Sequence, residues 1–155
     1  MQEVTIDGLR FVFMLAPGTE APAEMLFHLP DLKALCAAED ATHNLHNLYT
    51  LRGAKVRDAK AWSFYLNKTI EMFADDTEVV FAQHHCPMWG RDRLADFLEK
   101  QRDMWKYLHD ESLGFLNHGH AMLEIAEIIE VPDSLGKQWY NRGYYGTVSH
   151  NVKSI

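Results

Sequence analysis

Glu20, Glu39 and His84 are the residues best suited to chemistry in this chain, because each follows a short apolar, strand-like segment. Sheets of α/β type build their sites where strands end, and two carboxylates with an imidazole make a donor set that suits zinc. Spacing alone leaves a plainer reading open, in which both glutamates are solvated loop acids and His84 is a packed or surface residue. His43 and His46 stand three apart, so on a helical turn they would share a face as a ligand pair. The alternative is that His43, His46 and His85 orient neighbouring groups through hydrogen bonds. Asn47 and Arg52 could grip a tetrahedral oxyanion, the guanidinium with forked donors and the amide with one more. An ordinary surface arginine is the competing reading for Arg52.

The elements that would carry these residues are short. Val4 to Ala16 reads as two strands around Asp7-Gly8, a dipeptide that takes positive φ cheaply and suits a tight hairpin. Phe11, Phe13 and Leu15 would share one face. The stretch from Pro17 to Pro22 cannot continue a strand, since proline removes a ladder donor, and Glu20 lies within it. Met25 to Leu29 and Leu32 to Ala38 are apolar runs that predict two further strands, and Glu39 ends the second. From Leu48 to Phe73 apolar positions recur near helical spacing, which predicts a helix broken near Gly53. Glu78 to Gln83 predicts a buried strand that stops at His84-His85. Beyond Trp89 the pattern turns helical, over Leu94 to Leu116 and Ala121 to Ile129, with a further helix start at Pro132-Asp133-Ser134. The one domain boundary is expected near Trp89.

Bulk properties narrow the function. A chain of 155 residues can bury one sizeable core, and 47% hydrophobic with 24% charged residues is ordinary globular composition. A net charge of -7 disfavours a nucleic-acid partner, because phosphate binding needs clustered Lys and Arg. Cys36 and Cys86 could pair or stay free. No stretch approaches the ~18 apolar residues of a membrane span, and the compartment stays undecided.

Several stretches, in one order, resemble a known family: Pro17-Gly18-Thr19-Glu20-Ala21-Pro22-Ala23-Glu24, then Ala38 to Asn47, then Ala82-Gln83-His84-His85, Trp89-Gly90, and Arg142 to Asn151. They resemble the zinc-dependent alkyl sulfatases, or SDS hydrolases, of the metallo-β-lactamase superfamily. The resemblance implies an α/β fold: the C-terminal part of an αββα sandwich over residues 1–89, then the start of a helical dimerisation region over 90–155. It implies two Zn2+ ions per site, with Glu20 and Glu39 among the ligands, Glu39 shared between the metals and His84 on the second. Asn47 and Arg52 match positions that hold the sulfate group of an alkyl sulfate ester, and the nucleophile is expected to be a zinc-bridging hydroxide rather than a catalytic side chain. A homodimer is implied as well.

The family's His-x-His-x-Asp-His motif is not found between Met1 and Ile155, so it is expected upstream. Three ligands are too few to hold two zinc ions, so the isolated chain is expected to be inactive. The alkyl tail would be received by apolar groups elsewhere in the parent protein. Cys86 stands where an aromatic residue is usual and Asp40 where asparagine is common, departures that touch local packing. Two rivals remain. Another hydrolase of the superfamily, acting on phosphoesters, thioesters or lactams, would generally have histidine in place of Glu20 and Glu39. A non-catalytic helical interaction module would bind no metal.

Overall fold

The Asp7-Gly8 turn closes the first hairpin. Both residues adopt positive φ, 50° and 83°, the backbone that matches the twist of flanking strands. It joins β1 (Gln2–Ile6) to β2 (Leu9–Leu15) with Ile6 opposite Leu9. In this computed structural model, which describes all of Met1–Ile155, the sheet continues through β3 (Met25–Leu29), β4 (Ala34–Cys36), β5 (Val79–Phe81) and β6 (Met88–Trp89), in chain order. All neighbours are antiparallel except β4 and β5, whose parallel pairing requires a long crossover. That crossover carries α1 (Ala59–Phe73) and most of the residues singled out above.

Alternation along the strands separates two faces. Met14, Leu26, Leu35 and Val80 fall on one row and are buried, while Phe11, Phe13, Phe27 and Phe81 line the other, with Phe11 and Phe13 stacked at 5.8 Å. The first face meets α1 and the long α2 (Arg91–Asn117), whose tightest junction is Trp62 against Trp105, ring centroids 4.4 Å apart. The shorter helices α3 (Met122–Ile128), α4 (Asp133–Gly136) and α5 (Val148–Val152) add Ile125, Leu135 and Val152 to the same core. Sheet and helices share one cluster of 25 buried hydrophobic residues.

Two expected elements are shorter than their apolar patterns. The strand expected over Leu32 to Ala38 is reduced to Ala34–Cys36, because Pro30 opens a 3-10 turn and Lys33 sits at φ 48°. The helix expected from Leu48 begins only at Ala59, where the Asp58 side chain accepts from the Ala61 N–H at 3.0 Å. Residues 48–58 form a loop instead, closed by the Arg57 N–H to the Leu48 carbonyl and turned at Gly53, φ 82°. Cys36 and Cys86 are unpaired, the first buried and the second exposed.

The segment after Leu45 is held from the C-terminal side. The Leu45 N–H bonds the Arg142 carbonyl and the Gly146 N–H bonds the Leu45 carbonyl, at 2.9 Å each, while Asn151 accepts from the Leu48 N–H and donates to the His46 carbonyl. Gly146 lies so close that a Cβ there would collide with the His46 carbonyl oxygen. Gly146→Ala is therefore expected to cost about 2 kcal/mol or more, read as a lowered urea midpoint. Gly114→Ala, with open space around it in α2, is expected to gain up to ~1 kcal/mol. Equal midpoints for the two variants would contradict the packing described.

Candidate metal centre

Three loops at one rim of the sheet deliver the polar residues. The loop after β2 is closed by the Ala16 N–H to the Glu24 carbonyl and by Gly18 to Ala21, which presents Glu20. The loop after β4 starts at Ala38, φ 48°, and presents Glu39. The loop after β5 presents His84 and His85. One donor atom each from Glu20, Glu39 and His46 lie within 4.8 Å of one another, and His84 Nε2 stands 2.6 Å from Glu39 Oε1. These groups face a pocket of about 330 Å³ that also takes in Arg52 and Tyr145.

Of the two readings of His43 and His46, the ligand pair on one helical face does not form. Residues 40–47 are an irregular loop rather than a helical turn, so His43 and His46 diverge. His43 packs edge-on against Trp139 at 4.8 Å and Phe97 at 5.5 Å. His46 turns into the pocket, against Trp62 and Tyr145. Its Nδ1 is 3.0 Å from the Asn47 carbonyl oxygen, a partner that accepts only, so Nδ1 carries the proton and Nε2 keeps a lone pair. His85 sits at φ 74° and meets Asn44 Nδ2 at 3.0 Å. Arg52 is exposed at the rim, and Asn47 is buried beside it in the adjoining hollow.

Arg57, Glu24 and Asp40 belong to the site although none of them has a role in it among the sequence-based expectations. Arg57 is buried and pairs with the Glu20 carboxylate. Burial pushes Glu20 upward, but the charge and hydrogen bonds of Arg57 outweigh it and hold the carboxyl below its ordinary value. Glu24 lacks such a partner: burial, reinforced by the charges of Glu20 and Glu39, raises it to about 7 against a bond from the Met25 N–H. Burial lowers His46 to about 4, which leaves the imidazole neutral and able to donate a lone pair. Asp40 is fully buried; its Oδ1 accepts from the Glu20 N–H at 3.4 Å, its carbonyl accepts from Trp62 Nε1 at 2.8 Å, and its Oδ2 has no partner. Burial raises its carboxyl well above the usual range. Carboxylates and imidazoles converging around an unsatisfied acid are a donor set that fits a divalent cation.

Comparison with known proteins sets this geometry in context. Residues 121–155 match the family model described as alkyl sulfatase dimerisation. The chain is 52% identical over 149 residues, 96% of its length, to a linear primary-alkylsulfatase of Pseudomonas sp. It is 50% identical over its whole length to an alkyl/aryl-sulfatase of Saccharomyces cerevisiae. The solved structure of the inverting sec-alkylsulfatase Pisa1 from Pseudomonas sp. superposes over 99% of the chain with a TM-score of 0.96 and 41% identity. A metallo-beta-lactamase family protein of Thermus thermophilus shares the fold, at a TM-score of 0.51 and 17% identity. The mixed α/β architecture expected from sequence is thus a fold that the chain shares with the alkylsulfatase structure and the Thermus protein. The chain spans 22% to 24% of the length of the two curated relatives and of the Pisa1 chain.

The orphaned Asp40 carboxyl gives a pH test. An acid whose value is raised by folding binds more protons folded than unfolded, so stability falls as pH climbs from the ordinary carboxylate range through the raised value. In the metal-free protein, Asp40→Asn is expected to gain stability on the wild type as pH rises over that window. Urea midpoints of both proteins between about pH 4 and about pH 8 measure the gain. Parallel curves would refute the buried, unpartnered acid.

Proposed function

Because the chain belongs to the alkyl sulfatases, we propose that it is part of a longer zinc-dependent sulfuric ester hydrolase acting on alkyl sulfates such as dodecyl sulfate. The observation that carries this reading is the convergence of the Glu20 and Glu39 carboxylates, with His84 on Glu39 and the His46 ring beside them, in the pocket that Arg52 borders. The activities of the relatives, linear primary-alkylsulfatase and (R)-specific secondary-alkylsulfatase, support the substrate class.

Glu20, Glu39 and His84 would hold zinc, and a His-x-His-x-Asp-His motif elsewhere in the longer protein would supply the remaining ligands. Zinc bound there supplies Lewis acidity and lowers the pKa of water. The residues of this chain do the rest. Arg52 and Asn47 hold the sulfate oxygens and offset the charge that gathers on them as the ester bond breaks. His46, neutral and buried, closes the pocket wall beside Glu20. His43 and His85 pack at the rim and keep the loops in register. Residues 1–89 then serve as the partial catalytic unit and 90–155 as the start of a helical dimerisation region, a functional division within one continuous core. The dimerisation match of residues 121–155 supports a homodimer. No helix is long and apolar enough to cross a membrane.

Release of inorganic sulfate from dodecyl sulfate by the full-length protein tests this. Turnover is expected to vanish on chelation and return with zinc. Glu39→Gln is expected to lose bound zinc and at least about 100-fold in rate. Asn47→Ala and Arg52→Ala are each expected to lower kcat/KM by roughly 100- to 1,000-fold, and the 155-residue chain alone should turn over nothing. Chelator-resistant turnover, or a phosphate ester preferred over the sulfate ester, would defeat the proposal.

A further inference from the structure

Arg57 does not border the metal pocket, yet it is the buried group that touches both halves of the site. A guanidinium that is 8% exposed must have its donors met, because an unpaired buried charge is costly. All the partners lie in two residues. Nε donates to the Glu20 carbonyl at 2.5 Å and Nη2 to the Glu20 carboxylate; Nη1 donates to Asn47 Oδ1 at 2.7 Å and to the Asn47 carbonyl at 3.2 Å. We propose that Arg57 is a positioning residue that fixes the Asn47 carboxamide with its NH2 toward the sulfate while holding the Glu20 carboxylate for metal. This rests on the assignment of Asn47 to the sulfate group given above.

The chemistry of the two groups forces the orientation. A carboxamide has one acceptor end and one donor end, and a guanidinium has donors only. Asn47 must therefore give Arg57 its oxygen, which leaves the NH2 as the end available to an anion. The reverse orientation would aim an acceptor at the sulfate and face two donors against each other. Arg57 can impose this because its own backbone is fixed. Its N–H bonds the Leu48 carbonyl at 2.8 Å, and the next residue, Asp58, bonds the Gly18 carbonyl at 2.9 Å and caps α1. The start of one helix thus sets both the loop bearing Glu20 and the loop bearing Asn47. Lysine would keep the charge but not the fork, so it cannot serve both residues at once.

A double-mutant cycle in the full-length zinc-loaded enzyme tests this, using Arg57→Lys, Arg57→Met, Asn47→Ala and the combined Arg57→Lys/Asn47→Ala. The readouts are the inhibition constant of inorganic sulfate and the zinc dissociation constant, with thermal midpoints recorded alongside. Arg57→Lys is expected to melt near the wild type, to weaken sulfate binding roughly tenfold or more, and to weaken zinc binding about tenfold. The combined variant should bind sulfate no more weakly than Asn47→Ala alone, because the lysine variant has already lost what Asn47 contributes. The inference is overturned if Asn47→Ala weakens sulfate binding while Arg57→Lys and Arg57→Met do not, or if the two effects simply add. Should Asn47→Ala itself leave sulfate binding unchanged, the assignment of Asn47 falls first and this inference falls with it.

Discussion

Glu20, Glu24, Glu39 and Asp40 bring four carboxyl groups to one end of the sheet, and Arg57 is the buried cation that stands among them. Like charges at this spacing cannot all ionise without a counter-charge. Arg57 offsets the charge of Glu20, while burial above all, reinforced by the neighbouring acids, raises Glu24 to about 7 and Asp40 well above the usual range. A site that stores electrostatic tension of this kind releases it on taking up divalent metal, which is why the arrangement reads as a metal centre rather than as a stabilising network.

The second support of the site is mechanical. The loop from Asp40 to Leu48 has no helix or strand of its own, so its backbone groups must be met from outside. Trp62 of α1 holds the Asp40 carbonyl, and Asn151 of α5 holds the carbonyl of His46 and the N–H of Leu48. Gly146 then lies against His46 with no room for a side chain. Residues matched to the dimerisation family therefore form the wall behind the loop that bears Asn47.

Local patterns in the sequence were enough for the parts of the fold that local chemistry decides. Asp7-Gly8 specifies its hairpin, Met25 to Leu29 its strand, and the apolar spacing from Leu94 to Leu116 the core of α2. The pattern misled where tertiary partners outbid periodicity. Leu51 and Ala54 sit at helical spacing, yet Gly53 and the contacts of Leu48 with Asn151 and Arg57 draw 48–58 into a loop. The same holds for His43 and His46, three apart but packed against different partners, Phe97 and Trp62. Glu20, Glu39 and His84 were visible as acids and an imidazole after strands. Arg57 was not, because a buried arginine is told from a surface one only by what folds around it.

Zinc-edge anomalous scattering from crystals of the full-length protein measures the central claim directly. The account requires two peaks in the pocket, with carboxylate oxygens of Glu20 and Glu39 and a ring nitrogen of His84 about 2.0–2.2 Å from them. Zinc found only elsewhere, or a pocket in which the Glu20 and Glu39 carboxylates bind no metal, would contradict it.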